Sequence, residues 1–327
     1  MRAPDFWSHG QHGLIGTLMG NLLTPLGCAY GAITQRRAHQ EPLWRALVPV
    51  ICVGNAVIGG AGKTQICIDL VKRFANRNPH VLSRGYRGSV SGPLRVDASH
   101  HKVEMVGDEP LILSRHAPTW VGSDRTATAK AASAAGAGIL IMDDGFQNPA
   151  LAKTISLLVI DGGYGFGNGR VFPAGPLRES AASAFARTDA VCVIGDESAG
   201  APDIPATLPR FSAAIKPAPD ASPVAGKRVI AFAGIGRPRK FFQTLTEAGA
   251  DIIMAQPYPD HHPYQAHEIE TLLRAAADNG CDLVTTEKDH VRVPESLQSQ
   301  VIPFPVCLAW KDDAALQGFL AARIGLS

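Results

Sequence analysis

Residues 54–64, which read GNAVIGGAGKT, combine glycines, a lysine and a threonine at a spacing that suits phosphate binding. In such a loop the backbone N–H groups bind phosphate oxygens, the lysine neutralises negative charge and the threonine hydroxyl reaches Mg²⁺. The apolar run 48–53 predicts a strand before the loop. A helix is predicted after it, with one apolar face formed by Ile66, Cys67, Leu70, Val71 and Phe74. The segment therefore predicts a nucleotide-phosphate site at a helix N-terminus.

The loop departs from the strict pattern at two positions. The pattern requires glycine five residues before Gly62, where this chain has Val57. One group of P-loop ATPases, which act as switches or remodel partner proteins, carries a second lysine at the position of Ile58. The sequence therefore indicates a nucleotide and argues against that group.

Asp143 and Asp144 directly follow the apolar run 139–142. A P-loop protein needs a carboxylate at the end of a strand beside the loop, where it holds Mg²⁺ directly or through water. The alternative is a capped turn, since the Asp-Gly pair at 144–145 is a common turn signal. Together with the upstream Gly-Lys-Thr, the pattern favours metal binding.

A second carboxylate pair, Asp108 and Glu109, precedes Pro110, a residue that can open a helix. Phosphoryl transfer to a hydroxyl benefits from a base that accepts the proton and orients the nucleophile. Either residue can serve in this way. An acidic helix N-terminus is the commoner meaning of such a pair, and both interpretations stay open at this point.

Three further segments mix charge with turn residues. The loops 83–88 and 167–179 contain arginines and glycines, which suit phosphate binding as well as solvated turns. In the segment 259–263, His261 next to an aspartate can act as a proton relay between domains, or lie in a surface turn. The segment 286–289, TEKD, differs from the guanine-reading Asn-Lys-x-Asp, which disfavours GTP.

The composition is that of a folded intracellular protein. A length of 327 residues predicts two domains, and a net charge of +2 is too small to indicate a nucleic-acid partner. The six cysteines form no C-x-x-C pair, which predicts free thiols in a reducing compartment, the cytoplasm, and no zinc site.

The N-terminal region is unusual because residues 6–35 contain no Asp, Glu, Lys or Arg. A signal peptide fits poorly, a spanning helix is marginal by composition, and a helix packed on its own domain is the ordinary alternative. A helix lying in a membrane interface, followed by arginines, fits best. Pro25 is expected to kink or break it. Its apolar stripe consists of Leu14, Ile15, Leu18, Met19, Leu22, Leu23, Leu26, Tyr30 and Ile33.

Apolar runs alternate with helical segments along the rest of the chain, which predicts an α/β protein with a parallel sheet covered on both faces. We expect an N-terminal helical segment at 1–46, a P-loop domain at 47–215 and a smaller α/β domain at 216–327. The last strand is expected over 301–308. The helix expected over 312–323 can pack on either domain.

Taken in order, the motifs GNxxxGGxGKT, SRGY, GDEP, DDGFQ, GPLRE, DH and TEKD resemble those of the tetraacyldisaccharide 4'-kinase family, the lipid A 4'-kinases of Gram-negative bacteria. The resemblance covers most of the chain, and the family shares the irregular P-loop. It implies a P-loop domain, a smaller α/β domain, ATP and Mg²⁺ as cofactors, and an active site between the domains. It also implies transfer of the γ-phosphoryl group to the 4'-hydroxyl of tetraacyldisaccharide 1-phosphate at the cytoplasmic face of the inner membrane.

The resemblance implies a role for each matching residue. Asp108 would be the base, His261 would pair with it, and Lys63 would stabilise the phosphates. One position departs from the family pattern, because Asn148 stands where a histidine is usual, so an acid–base role is lost there and a positioning role is kept. The remaining assignments are phosphate binding by Gly59, Gly60, Ala61, Gly62, Lys63 and Thr64; metal binding by Thr64, Asp143, Asp144, Glu109 and Gln147; and substrate contact by Arg84, Tyr86, Asn148, Arg178 and Glu179.

Three other functions compete with a lipid kinase. The first is a non-kinase P-loop ATPase or GTPase that acts as a switch, which is disfavoured because this chain has Ile58 in place of the second lysine. The second is a GTP-dependent metal-insertion protein, which is disfavoured because this chain has neither the guanine motif nor a Cys/His cluster. A soluble small-molecule kinase would leave the apolar N-terminal stripe unexplained. The expected partners are therefore a lipid substrate and a membrane surface, with no nucleic acid and no obligatory protein partner.

Overall fold

The computed structural model describes residues 4–8, 13–196, 202–221 and 223–325. The side chains of Leu14 and Ile15, two members of the predicted stripe, lie outside this set. The helices are α1 Leu14–Ala38, α2 Lys63–Arg73, α3 Val103–Val106, α4 Asp108–Ser114, α5 Arg125–Ala134, α6 Ala181–Phe185, α7 Pro238–Glu247, α8 Ala266–Asp278, α9 Glu287–His290, α10 Glu295–Gln298 and α11 Asp313–Arg323. The strands are β1 Val50–Gly54, β2 Pro79–Ser83, β3 Leu94–Arg95, β4 Thr119–Val121, β5 Ile139–Asp143, β6 Ile155–Asp161, β7 Ala190–Ile194, β8 Arg210–Pro217, β9 Arg228–Ala233, β10 Asp251–Pro257, β11 Asp282–Thr286, β12 Ile302–Phe304 and β13 Val306–Trp310.

A nine-stranded sheet has the order β13-β8-β7-β6-β1-β5-β2-β4-β3. Its strands are parallel except the two at the edges, β3 and β13, which pair antiparallel with their neighbours. Alternate residues of the buried strands enter two separate apolar clusters, one beneath α2, α4 and α11 and the other beneath α5 and α6. The predicted α/β class is therefore confirmed, with the strand before the P-loop at the centre of the sheet.

A second sheet has four parallel strands in the order β10-β9-β11-β12. Helix α7 packs on one of its faces through Phe241 and Leu245, and α8 packs on the other through Ile269 and Leu272. Because all four strands run the same way, the loops that follow β9, β10 and β11 meet at one edge. At this edge lie the loop residues 234–237 and 259–263 and the short helix α9, which directly follows β11.

The C-terminal chain differs from the sequence prediction. The single strand expected over 301–308 is in fact two strands, with β12 in the small sheet and β13 paired with β8 in the large one. Helix α11 then buries Leu316 and Leu320 in the cluster that includes β1. We propose that the two sheets mark two domains, with β8 and the chain after β12 belonging to the first.

Helix α1 runs without a break through Pro25 over 25 residues, so the predicted break does not occur. Its packed face is made of glycines. A Cβ atom built on Gly27 would lie 2.7 Å from the Val171 carbonyl oxygen, and Gly31 also contacts Val171. Four of the described apolar side chains of α1, Leu18, Leu22, Leu26 and Ile33, are exposed, with Leu22 73 % exposed. Within the described ranges, no helix combines the length and apolar character that crossing a membrane requires.

Candidate active site

The P-loop connects β1 to α2 and leaves its backbone accessible. Gly59 and Gly62 have φ angles of 125° and 84°, a region that glycine adopts without strain. A Cβ atom built on Gly59 or Gly60 would meet nothing within 4 Å, so the loop faces open space there. The Asn55 side chain donates to the Gly59 carbonyl at 3.1 Å and holds the loop in shape. This open backbone at the N-terminus of α2 fits nucleotide phosphates.

Lys63 is the first residue of α2, and its ammonium group lies between two oxygen acceptors. Nζ donates to Asn55 Oδ1 at 3.1 Å and lies 3.4 Å from Asp144 Oδ1. Thr64 follows in the same helical turn. The phosphate-binding loop and the Asp143–Asp144 pair are thus brought together, as the sequence predicts.

The two adjacent aspartates have different environments. Asp143 ends β5 and is buried, and both burial and the neighbouring charge of Asp144 raise its pKa. Burial also opposes ionisation of Asp144, but Lys63 and Arg178 outweigh it and lower its pKa to about 2. Arg178 Nη1 lies 3.2 Å from Asp144 Oδ2. Carboxylate oxygens and the hydroxyl of Thr64, the second residue of α2, are donors of the kind that Mg²⁺ prefers.

The segment around Arg178 is tied to the P-loop by backbone hydrogen bonds. The N–H of Ile58 donates to the Pro176 carbonyl at 2.8 Å, and the N–H of Arg178 donates to the Ala56 carbonyl at 2.7 Å. The Gln147 side chain also contacts the P-loop, where it donates to the Asn55 carbonyl at 2.9 Å. Gln147 and Arg178 are therefore placed beside the aspartates.

Glu179 is surrounded by protein groups. The residue is fully buried, and its carboxylate pairs with Arg187 at 2.5 and 2.6 Å. It also accepts hydrogen bonds from Ser183 at 2.7 Å and from Gln147 at 3.2 Å. A carboxylate enclosed in this way has no face open to a ligand in this structure. Its contacts hold Gln147 and the start of α6, and they favour a structural role over the predicted substrate contact.

Asp108 begins α4 and pairs with a histidine from the other sheet. Asp108 Oδ2 lies 2.8 Å from His261 Nδ1, although the two residues are 153 positions apart. Burial opposes ionisation of Asp108, but hydrogen bonds with His261 and Glu109 and the charge of Lys288 hold its pKa well below its usual range. Asp108 is therefore a carboxylate, able to accept a proton.

Glu109 lies beside this pair but is paired with a lysine. Burial raises the pKa of Glu109 to about 7, although Lys288 opposes this shift. The distance from Lys288 Nζ to Glu109 Oε1 is 2.6 Å. Asp108, Glu109 and His261 each offer a ligand atom within 4.8 Å of the others, and they form a candidate metal group.

A buried polar scaffold in the small sheet positions His261. Asp289 Oδ1 accepts hydrogen bonds from the Gly234 N–H at 2.7 Å, from Tyr264 Oη at 2.6 Å and from Arg292 at 2.7 Å. The backbone N–H of His261 donates to the Gly234 carbonyl at 2.9 Å, and the φ angle of His261 is 59°. The loops after β9 and β10 are thereby fixed to each other, which directs the imidazole at the large sheet.

The loop after β9 also brings the small sheet close to the P-loop. A Cβ atom built on Gly236 would lie 4.0 Å from the backbone nitrogen of Gly60 and 3.8 Å from Asp260 Oδ2. Asp260 immediately precedes His261. The Asp108–His261 pair therefore borders the same cleft as the phosphate-binding loop.

Three predicted residues remain, namely Tyr86, Arg84 and Asn148. Tyr86 is 60 % exposed, and its ring centroid lies 6.0 Å from that of His261. Arg84 is exposed in the same loop after β2. Asn148 uses its Oδ1 atom to accept from the Ala150 N–H at 2.9 Å, which stabilises a local turn.

Sequence reasoning missed three residues of the site, namely Asn55, Lys288 and Arg292. Asn55 directly follows the central strand, and this position was a usable signal. Lys288 follows a strand of the second parallel sheet, and the convergence of strand ends at one edge was also a usable signal. Arg292, whose Nε lies 3.7 Å from Asp108 Oδ2, had no signal in the sequence.

The fold and the site define the class of protein: a P-loop nucleotide-binding α/β protein in which a second parallel sheet closes over the loop. The particular family follows from comparison with known sequences. The profile of the family described as "LpxK: Tetraacyldisaccharide-1-P 4'-kinase" matches residues 19–325. The chain belongs to this family, and the resemblance seen in its motifs is confirmed.

Curated relatives match over nearly the whole length. Tetraacyldisaccharide 4'-kinase of Rhodospirillum centenum is 49% identical over 98% of this chain and 96% of its own. The protein of the same name from Paramagnetospirillum magneticum is 46% identical over 100% of this chain and 99% of its own. A crystal structure of LpxK from Aquifex aeolicus in complex with ATP superposes with a TM-score of 0.75. It covers 94% of this chain and 99% of its own at 23% identity, and it supports the fold.

Proposed function

We propose that this chain transfers the γ-phosphoryl group of ATP to the 4'-hydroxyl of tetraacyldisaccharide 1-phosphate. Its membership of an ATP-dependent lipid A 4'-kinase family supports the reaction class. The observation that carries the proposal is the Asp108–His261 contact, formed between the two sheets at the edge of the P-loop cleft. A nucleotide switch has no need of a proton acceptor facing its phosphates, whereas a kinase has.

The P-loop backbone from Gly59 to Thr64 would bind the phosphates, with Lys63 on the β- and γ-oxygens. Thr64, Asp143 and Asp144 would hold Mg²⁺, which neutralises charge developing on the phosphate oxygens. The Lys63 ammonium lies 3.4 Å from Asp144 Oδ1, and this proximity supports a site that would hold both phosphate and metal. Gln147 and Arg178 would complete its wall.

Asp108 would accept the proton of the attacking hydroxyl. Its low pKa makes it a weak base in advance of reaction, but phosphoryl transfer has a loose transition state in which orienting the nucleophile matters most. The proton becomes acidic only as the new O–P bond forms, and an ionised carboxylate at that position can then take it. His261 would hold the carboxylate in the required orientation.

The lipid would approach from the side of α1. On this helix the side chains of Leu18, Leu22 and Leu26 are 66 %, 73 % and 60 % exposed, and two arginines lie in the last turn. An apolar face with trailing cations suits a helix lying in an anionic membrane surface. Exposed Arg84 and Tyr86 would contact the anionic headgroup. The proposed location is the cytoplasmic face of the inner membrane, with peripheral attachment.

The test is incubation with γ-³²P-ATP, Mg²⁺ and tetraacyldisaccharide 1-phosphate in mixed micelles, followed by thin-layer chromatography. We expect a labelled lipid product, and no label on an analogue whose 4'-hydroxyl is replaced by hydrogen. ATP hydrolysis without labelled lipid would support the switch or ATPase alternative and overturn the proposal.

Two variants test the assigned roles. Asp108→Asn keeps the shape of the side chain and removes the charge, and we expect a loss of about 10²- to 10⁴-fold in kcat. Lys63→Ala removes the phosphate-binding cation and should abolish transfer. Lys227→Met, at an exposed lysine 3.9 Å from Asp282, is the matched control with unchanged activity. Activity of Asp108→Asn equal to that of the control would exclude Asp108 as the base.

A further inference from the structure

Lys288 connects the two sheets at the candidate active site. It lies on the short helix α9 after β11, and only 24% of its side chain is exposed. Its ammonium group contacts Glu109 Oε1 at 2.6 Å and lies 3.8 Å from Asp108 Oδ2. It also lies 3.4 Å from His261 Nε2. One cation from the small sheet therefore faces two carboxylates of the large sheet and the imidazole of its own sheet.

These contacts determine where the proton of His261 resides. A lysine ammonium has three donors and no acceptor, so its contact with Nε2 requires a lone pair on that nitrogen. Asp108 is an acceptor, so the ring must donate to it from Nδ1. Both neighbours thus select the same tautomer, with the proton on Nδ1. Asp260 Oδ2 lies 3.8 Å from Nε2, too far to compete as a hydrogen-bond acceptor.

Lys288 also removes a competing partner for the imidazole. Glu109 is adjacent to Asp108 in the chain, and its carboxylate lies in the same cluster. A free Glu109 would offer His261 an alternative acceptor a short distance away. Because Lys288 pairs with Glu109 at 2.6 Å, the imidazole is left with Asp108 as its acceptor. Arg292, 3.7 Å from Asp108, is engaged with Asp289 and cannot take over this function.

We propose that Lys288 is a positioning residue that fixes the Nδ1–H tautomer of His261 and directs the imidazole to Asp108. The inference rests on the proposed kinase function, since its value to the reaction is an Asp108 carboxylate held in one orientation. It assigns Lys288 no contact with the transferred group. This role differs from that of the P-loop lysine, which contacts Asn55 and Asp144.

The test is the ¹⁵N–¹H long-range correlation spectrum of the full-length protein labelled with ¹⁵N-histidine, with the His261 signals identified by their loss in His261→Gln. We expect the Nδ1–H tautomer in the wild-type protein. In Lys288→Met, which keeps the apolar stem, we expect a mixture with the Nε2–H form. Lys288→Arg, which restores N–H donors, should return the spectrum toward the wild-type pattern.

Kinetics supply the second readout. Lys288→Met should lower kcat about 10- to 100-fold, by analogy with the loss of a partner that orients a metal-bound imidazole. KM for ATP and for the lipid should stay within about twofold, because no binding contact is lost. Lys227→Met is the control.

An Nε2–H tautomer in the wild-type protein would overturn the proposal, and this result does not depend on any variant folding. An unchanged tautomer in folded Lys288→Met would overturn it as well. If the wild-type protein shows the Nδ1–H tautomer but no lipid phosphorylation, the kinase proposal fails while the positioning of His261 stands.

Discussion

Replacing Glu179 by glutamine distinguishes a structural role from the substrate contact that the motif suggested. Glu179 has no exposed surface and holds Arg187, whose side chain is 15% exposed, through two contacts of 2.5 and 2.6 Å. The substitution keeps the shape of the side chain but leaves the Arg187 charge without its partner. Breaking a buried ion pair from one side costs about 3–5 kcal/mol.

The residual exposure of Arg187 places the expected loss in unfolding free energy for Glu179→Gln near the lower limit, about 3 kcal/mol. At roughly 2–4 °C per kcal/mol for a domain of this size, the melting temperature should fall by roughly 6–12 °C. The assay is thermal unfolding followed by circular dichroism. The control is Asp282→Asn, which breaks an exposed pair with Lys227 and should cost less than about 1 kcal/mol.

Enzyme kinetics measured at a temperature below the thermal unfolding transition complete the test of Glu179. The folded variant should keep its KM for the lipid within about twofold, because the carboxylate contacts protein groups and has no face open to a ligand. An unchanged melting temperature together with a tenfold rise in KM for the lipid would refute this reasoning and restore Glu179 as a substrate residue.

Three further predictions concern α1 and the thiols. Gly27→Ala should loosen α1 and raise its deuterium uptake, because the new Cβ would lie 2.7 Å from a loop carbonyl. Gly31→Ala, with its nearest contact at 3.4 Å, should leave uptake unchanged or lower, and equal increases would argue against glycine packing. Leu22→Glu, at a 73 % exposed position, should weaken sedimentation with anionic vesicles without altering the circular dichroism spectrum; undiminished binding would exclude this face. Iodoacetamide should modify exposed Cys28 in the native protein but reach Cys67 only after unfolding, since Cys67 is fully buried and burial and the charge of Asp143 raise its pKa.

Much of the large sheet and the nucleotide half of the site could be predicted from the sequence. The strand, loop and helix around Lys63 are contiguous, so local pattern and phosphate chemistry suffice to recognise them. Asp143 and Asp144 were predictable because they directly follow a buried run beside the loop strand. In such cases the chemistry depends on neighbours in the chain, and composition and spacing report it directly.

The sequence was less informative where one segment serves two structures. The run 301–308 is apolar throughout and satisfies the pattern of a single strand. In the structure the chain leaves the small sheet after Phe304 and joins the edge of the large sheet at Val306. The apolar pattern predicts that both segments are strands. The sheet edges that are available in the folded protein decide which strand each segment pairs with.

By itself, the sequence determined that this chain has a P-loop, a carboxylate pair at the end of a neighbouring strand and an uncharged apolar N-terminal helix. The tertiary structure decided which side of that helix packs, because periodicity locates an apolar stripe without saying whether glycines opposite it are the contact face. It also decided that Glu179 is enclosed and that Lys288 faces His261 and Glu109. The physical reason is that these contacts depend on how separate elements pack against each other, as when Lys288 of the small sheet meets Glu109 of the large one, and that geometry exists only in the folded chain.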